Sequence, residues 1–185
     1  DLTVIYTAAG YLIPSLTMGS LRNVVVTTSG GGAITQAAGG ITPSGTTTLT
    51  AGSFNVTLAD NANNFGGTVR VVSAGNVVLD NGVHALDLGN GTISGNLTIE
   101  QAGAVTDSGV FSVGGTSSFG SSASVSSVTL DNGDSFGGKI DIDTAGGANF
   151  SNVTSGLIFD GNLATPTVEA VSIGGPITLS TTGGN

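Results

Sequence analysis

Cysteine is absent from this chain, and with it go disulfides, thiolate catalysis and cysteine-held zinc. Cations are scarce as well: Arg22, Arg70 and Lys139 stand against 12 acidic residues, for a formal charge of −9. Nucleic-acid binding needs clustered cations to displace phosphate counterions, and three scattered ones do not supply them. An anionic bilayer repels the same surface. No apolar run approaches the roughly 20 residues of a membrane-spanning helix. Neither nucleic acid nor membrane insertion is therefore expected. The opening residues, DLTVIYTAAGYLIPSLTMG, lack the charged start and long apolar stretch of a signal peptide. Either processing has removed a targeting segment or the chain is an excerpt.

Only 8% of residues are charged and mean hydropathy is +0.35, so the chain has apolar surface to bury and does not read as disordered. Glycine is abundant, at 32 residues, without the three-residue period of collagen. Its order lies in a longer repeat. Phe65-Gly66-Gly67 returns as Phe136-Gly137-Gly138, and Gly32-Ala33-Ile34-Thr35 as Gly103-Ala104-Val105-Thr106, both at one offset (136 − 65 = 103 − 32 = 71). A looser echo at the same offset links Leu86-Asp87-Leu88-Gly89 to Leu157-Ile158-Phe159-Asp160. Matches at one spacing indicate tandem duplication.

Between these landmarks run short stretches rich in Val, Ile and Thr, punctuated by Gly, Asn, Ser and Asp. The clearer ones are 24-28, 46-51, 54-59, 68-73, 76-80, 85-88, 96-100, 110-113, 125-130, 139-143, 157-160, 167-173 and 176-180. Glycine interrupts most helix-length windows and the runs are rich in Val, Ile and Thr, so strands are expected throughout. Alternation assigns their faces: Ile140 and Ile142 oppose Lys139, Asp141 and Asp143; Leu97 and Ile99 oppose Thr98 and Glu100. Val69 and Val71 likewise oppose Arg70, and Leu86 and Leu88 oppose Asp87. Residues 1-22 are least regular, an irregular segment or first coil in which Leu2, Val4 and Tyr6 alternate and Leu12-Ile13-Pro14 reads as a stop.

A sandwich, a barrel and a parallel β-helix all give strands one buried face. Three features favour the β-helix over residues 23-185. Most connections lack the two-residue Asn-Gly turns of hairpins, although Asn81-Gly82, Asn90-Gly91 and Asn132-Gly133 are of that type. Asn55, Asn76 and Asn96 recur just before strands at nearly even steps (76 − 55 = 21; 96 − 76 = 20), as a stacked asparagine ladder would. Tandem duplication extends a solenoid naturally, because each coil needs only neighbours like itself. The expected fold is thus an all-β, single-stranded parallel β-helix, with about eight coils at ~4.8 Å per rung. The phenylalanines are expected as core filling, Phe65 and Phe136 each covering a sharp corner made by the following glycine pair.

GAVTDSGVFSVGGTSSF (103-119), VTLDNGDSFGG (128-138), ALDLGNGTISGNLTIE (85-100) and VTLADNANNFGGTV (56-69) resemble the central repeats of filamentous-haemagglutinin-like exoproteins. These are large bacterial surface proteins exported by two-partner secretion. The resemblance spans roughly residues 32 to 143 and implies a right-handed β-helix serving as an extracellular stalk on the bacterial cell surface. The Asn-Pro-Asn-Gly type motif of the family's secretion domain has no counterpart here, since no Asn-Pro occurs. The resemblance then implies shaft without secretion domain or tip, with host or cell-surface glycan or protein partners engaged by regions not present.

Parallel β-helices also host polysaccharide lyases and hydrolases, so catalysis has to be weighed. Arg70 and Lys139 stand almost one repeat apart (139 − 70 = 69), which reads as repeated surface rather than a converging site. Asp131, Asp134, Asp141 and Asp143 are the least unfavourable carboxylate set, both for glycosidase chemistry and as weak calcium candidates. A solvated charged face is the preferred reading of them. His84, the single histidine, lies between Asp80 and Asp87, with no Gly-x-Ser-x-Gly elbow to pair with. Asn-x-Ser/Thr sequons at Asn55, Asn90, Asn96, Asn149 and Asn152 follow from composition and the ladder. No cofactor and no catalysis are expected. The chain reads as a structural stalk segment, with two alternatives: a filament subunit stacking identical copies end to end, and a carbohydrate-binding or carbohydrate-degrading β-helix.

Overall fold

A strand of two or three residues cannot stand alone, yet most strands of this chain are that short. They persist because each bonds its counterparts in neighbouring coils. The computed structural model describes residues 1–16, 22–144, 146–153, 158–159, 172–173 and 177–181. Among them no residue is helical, and every strand pairing is parallel.

The first sheet stacks β1 (Leu2–Tyr6), β3 (Val24–Thr28), β5 (Thr47–Thr50), β7 (Val69–Ser73) and β9 (Leu86–Leu88). It continues through β12 (Ala104–Asp107), β15 (Ser127–Leu130), β18 (Ala148–Val153) and β21 (Ile177–Thr181). The second sheet stacks β2 (Tyr11–Ile13), β4 (Ile34–Gln36), β6 (Val56–Leu58), β8 (Val77–Leu79), β11 (Leu97–Ile99) and β14 (Ser117–Phe119). It ends in β17 (Lys139–Thr144) and β19 (Ile158–Phe159), with β20 (Ser172–Ile173) also paired to β17. A third, short sheet holds β10 (Gly91–Ile93), β13 (Phe111–Val113) and β16 (Ser135–Phe136). The fold is an all-β parallel solenoid of about six turns.

Strand alternation sorts the side chains. Leu97, Ile99, Val105, Val128, Leu130, Ile140 and Ile142 all point inward and are buried, while Thr98, Arg70, Asp87 and Asp141 lie outside or at the rim. The core is one continuous column from Ile13 to Phe150. Towards the second repeat it becomes aromatic: Phe111 meets Phe136 edge-on at 5.7 Å, Phe136 meets Phe150 at 6.0 Å, and Phe119 meets Phe150 at 6.2 Å.

The duplication and the coil do not share a period. Ile34 lies in β4 of the second sheet, but its counterpart Val105 lies in β12 of the first. Phe65-Gly66-Gly67 leads into β7 of the first sheet, and Phe136-Gly137-Gly138 into β17 of the second. The third echo behaves alike: Leu86 and Leu88 are in the first sheet, Ile158 and Phe159 in the second, with Leu157 and Asp160 outside the described residues. From β3, three full turns reach β9 and a further half turn reaches β11, so one repeat makes three and a half turns and exchanges the two sheets.

That half turn moves the third side of the coil. In the first repeat the extra segment follows the second-sheet strand, where Leu16 bridges Ile41; in the second repeat its counterpart, β13 and β16, follows the first-sheet strand. The change of profile is accommodated at β7. A bulge interrupts its register with β5 at Thr50, it joins β9 through the single pair Val69 and Leu88, and Ala74 bridges Ile93. An apolar cavity of about 10 Å³ lined by Val69, Leu88 and Phe111 remains at this seam.

One expectation needs correction, and one is borne out. Tyr11–Ile13 is a strand registered with Ile34–Gln36, not a stop, because Ile13 continues the inward column while Leu12 faces out. The Asn-Gly pairs turn no hairpins: Gly82 and Gly133 take positive φ in corners, and Gly91 starts β10. Strands such as Ile34–Gln36, Gly91–Ile93 and Ser117–Phe119 carry too few apolar residues for alternation to reveal. The expected runs 157-160, 167-173 and 176-180 fall partly outside the described residues.

Replacing Phe136 by alanine is expected to cost about 3–5 kcal/mol in denaturant unfolding, since it removes the ring that joins Phe111 to Phe150. Thr47 opens β5 and Ser117 opens β14, both pointing inward, and each buries a hydroxyl oxygen without a hydrogen-bond partner. Thr47→Val should therefore raise stability by ~1 kcal/mol in the same measurement.

Candidate functional site

The residues singled out for catalysis do not converge. Arg70 projects from the first sheet, its Nε 3.3 Å from the Asn90 carbonyl, whereas Lys139 opens β17 in the second. His84 sits exposed on a corner, and its flanking carboxylates are engaged elsewhere. The Asp87 carboxylate accepts from Thr68 Oγ1 at 2.6 Å and Ser108 Oγ at 2.7 Å, and Asp80 accepts from the Gly82 N–H at 2.7 Å. Asp141 faces outward beside Ser118, and Asp143 accepts from Ser124 Oγ at 2.7 Å. Asp131 and Asp134 lie in the corner between β15 and β16, and Asp134 is fully buried. No three His, Cys, Asp or Glu side chains among the described residues are placed to hold a metal ion together.

What the coils do assemble is a set of polar columns. Asn55 Oδ1 accepts from the backbone N–H of Asn76 at 3.0 Å, Asn76 Oδ1 from that of Asn96 at 2.9 Å, and Asn96 Oδ1 from that of Thr116 at 2.9 Å. A matching column opens the first sheet, where Asn23 Oδ1 accepts from Thr46 N–H at 2.9 Å. Thr46 precedes β5 as Thr116 precedes β14, so the same bond recurs on opposite sheets. Each amide occupies a backbone donor just ahead of a strand and so holds the coil in register.

The glycine pairs work by close approach rather than by left-handed turning. A Cβ on Gly67 would lie 2.6 Å from the Gly45 carbonyl oxygen, and one on Gly138 would lie 2.4 Å from that of Gly115. None of Gly66, Gly67, Gly137 or Gly138 has positive φ. Glycine stacked over glycine lets successive corners touch. Phe65 and Phe136, 1% and 2% exposed, fill the core immediately before these contacts.

Deeper in the same corners lie two polar pairs that the repeat relates. Asn63 is fully buried and exchanges two 2.9 Å hydrogen bonds with Gln36, amide to amide. It also accepts from Ile41 N–H at 2.8 Å and donates to the carbonyls of Leu58 and Asp80. One repeat further on, Gln36 becomes Asp107 and Asn63 becomes Asp134 (107 − 36 = 134 − 63 = 71). Asp134 Oδ1 accepts from Phe111 N–H at 2.9 Å, as Asn63 Oδ1 accepts from Ile41 N–H. Burial pushes the Asp134 carboxyl up to about 7; the Phe111 N–H opposes this, and the charge and hydrogen bond of Asp107, with the charge of Asp131, add to it. The Asp107 oxygens accept from Asp131 and Asn132 N–H at 2.9 and 3.1 Å. Sequence reasoning placed Asp134 among surface carboxylates and passed over Asp107; their alignment with Gln36 and Asn63 was the available signal.

One open groove of about 520 Å³ runs beside the second sheet in the first repeat, lined by Thr35, Gln36, Thr57, Asp60, Asn61 and Asp80, with Ala37, Ala38 and Ala59. Asp60 bridges two coils, accepting from Ala62 and Gly39 N–H at 2.9 and 2.8 Å, and these bonds hold its carboxyl below the usual range. Glu100 is shifted upward by burial and by the Asp80 charge.

Truncating the middle rung of the asparagine column tests its role. Asn76→Ala is expected to lower stability by about 1–2 kcal/mol and to speed amide exchange at Asn96, which loses its acceptor.

Neither a curated protein nor a solved structure matches the chain. A family described as repeats of unknown function (DUF5649) matches twice, over residues 3–72 and 74–143. The two copies meet at β7, where the coil changes profile, and together they cover most of the sequence. The chain belongs to this family of repeats of unknown function.

Proposed function

We propose that this chain is a stretch of a non-enzymatic stalk from a secreted bacterial surface protein, of the kind its repeats resemble, giving reach and display outside the cell. The observation that carries this reading is the half-turn junction: one repeat runs into the next without breaking either long sheet or the core. Such a rod lengthens by adding repeats. The separation of Arg70, Lys139, His84 and the outward carboxylates onto different sides supports a mechanical role over a catalytic one. In this reading the coil is right-handed, with about eight turns over the whole chain at ~4.8 Å per rung.

A second reading is an end-to-end filament of identical copies. β1 and β2 end their sheets among the described residues, and Leu2 and Tyr11 pack only partly buried against the core. An identical copy stacked on this rung would continue both ladders and make a filament.

The denatured mass of the native polypeptide decides between them. Several hundred kilodaltons is expected for a shaft; a mass near 17.8 kDa, with concentration-dependent fibres, would replace the stalk by the filament. Both readings also predict no turnover across a panel of polysaccharides. Specific cleavage abolished by Asp141→Ala or Asp143→Ala would overturn them.

A further inference from the structure

The two repeats put chemically different pairs at one buried position. In the first, Gln36 and Asn63 are both neutral, and each amide offers a donor and an acceptor to the other. In the second, the same repeat positions hold Asp107 and Asp134 (134 − 107 = 63 − 36 = 27), and Asp107 acts on the buried Asp134 carboxyl through its charge and a hydrogen bond. Two carboxylates have no donor between them. A hydrogen bond across this pair exists only while one carboxyl keeps its proton. We propose that Asp107 and Asp134 share one proton as an acid-strengthened latch, which closes the corner of the second repeat and loosens when the proton leaves.

The surroundings assign the roles. Both Asp107 oxygens accept backbone N–H bonds from the next coil, which suits the ionised partner. Asp134 is fully buried, with one oxygen on the Phe111 N–H. It is the partner that keeps the proton and donates to Asp107. The charged groups acting on Asp134 are Asp107, at the end of β12, and Asp131, in its own corner; both are acidic, and β13 offers the Phe111 N–H but no cation. Ionising Asp134 therefore adds a second negative charge beside Asp107 and releases the proton to solvent.

The sign of the pH effect follows. The folded chain keeps the Asp134 proton up to about 7, whereas an unfolded chain gives it up at about 3.9. The latch contributes fully below that lower value, weakens as pH rises between the two, and is lost above the higher one. The amide pair of the first repeat has no such dependence. Loosening is thus confined to the corners that join β12, β13 and β16.

The test uses the full chain and its Asp134→Asn variant, which restores the first repeat's residue. Between pH 4 and pH 8, the melting-temperature difference between them should shift by roughly 5 °C or more in the variant's favour. Carbon-13 NMR of the wild-type carboxyls should show Asp134 titrating near neutrality, a readout that stands even if the variant folds poorly. Amide exchange at Phe111 should quicken over the same range, while that at Ile41 should not. Parallel melting profiles, or an Asp134 titration in the ordinary carboxylate range, would overturn the latch. So would calcium chloride at pH 8 stabilising wild type, but not Asp134→Asn, as fully as acid does, because the pair would then be a cation site.

Discussion

The structure depends on the parallel ladder between coils. Every strand N–H and C=O must find its partner one turn away, and an unpaired one inside the rod costs as much as a lost hydrogen bond. A coil can therefore neither slip nor tilt without breaking bonds on two or three sides at once. The shortest strands hold under this condition because the ladder is shared along the whole height of each long sheet. The other devices serve it. Glycine columns let corners close to contact distance, asparagine columns occupy donors the strands leave over, and the phenylalanines fill the interior behind the third sheet.

Much of this was legible in the chain. Alternation at Leu97 and Ile99, or at Ile140 and Ile142, requires one buried face, and the buried residues are those. The near-even spacing of Asn55, Asn76 and Asn96 marks a column because side chains one coil apart must stack, and those amides do bond in series. The short strands were hidden for a physical reason: in Gly91–Ile93 the ladder, not the side chains, makes the strand. The exchange of sheets was hidden too. A linear spacing says how far a motif recurs, not on which side of a coil it lands, and only pairing partners reveal the half turn.

The candidate site was the least legible part. Asp134 looked like one of several acidic residues on a solvated face because the neighbouring sequence, DNGDS, is that of an exposed turn. Its burial comes with β13, a full coil earlier, whose Phe111 N–H it accepts. Asp107 gave no signal by itself, being the last residue of an alternating strand. The pair becomes visible only when the second repeat is laid on the first and neutral amides are seen to be replaced by acids. In a rod whose outer charges are dispersed, the unusual chemistry lies inside.

The half turn per repeat has a geometric consequence for any longer array. Whatever side chain a repeat displays on one flank, the next displays on the opposite flank, about 17 Å further along at ~4.8 Å per rung, and the original flank is regained only after about 34 Å. Such a rod is two-faced by construction, like a stem with leaves set alternately left and right. A substitution fixed in one ancestral unit and copied by duplication would be distributed evenly to both sides, so partners approaching from either direction meet the same surface at half the density.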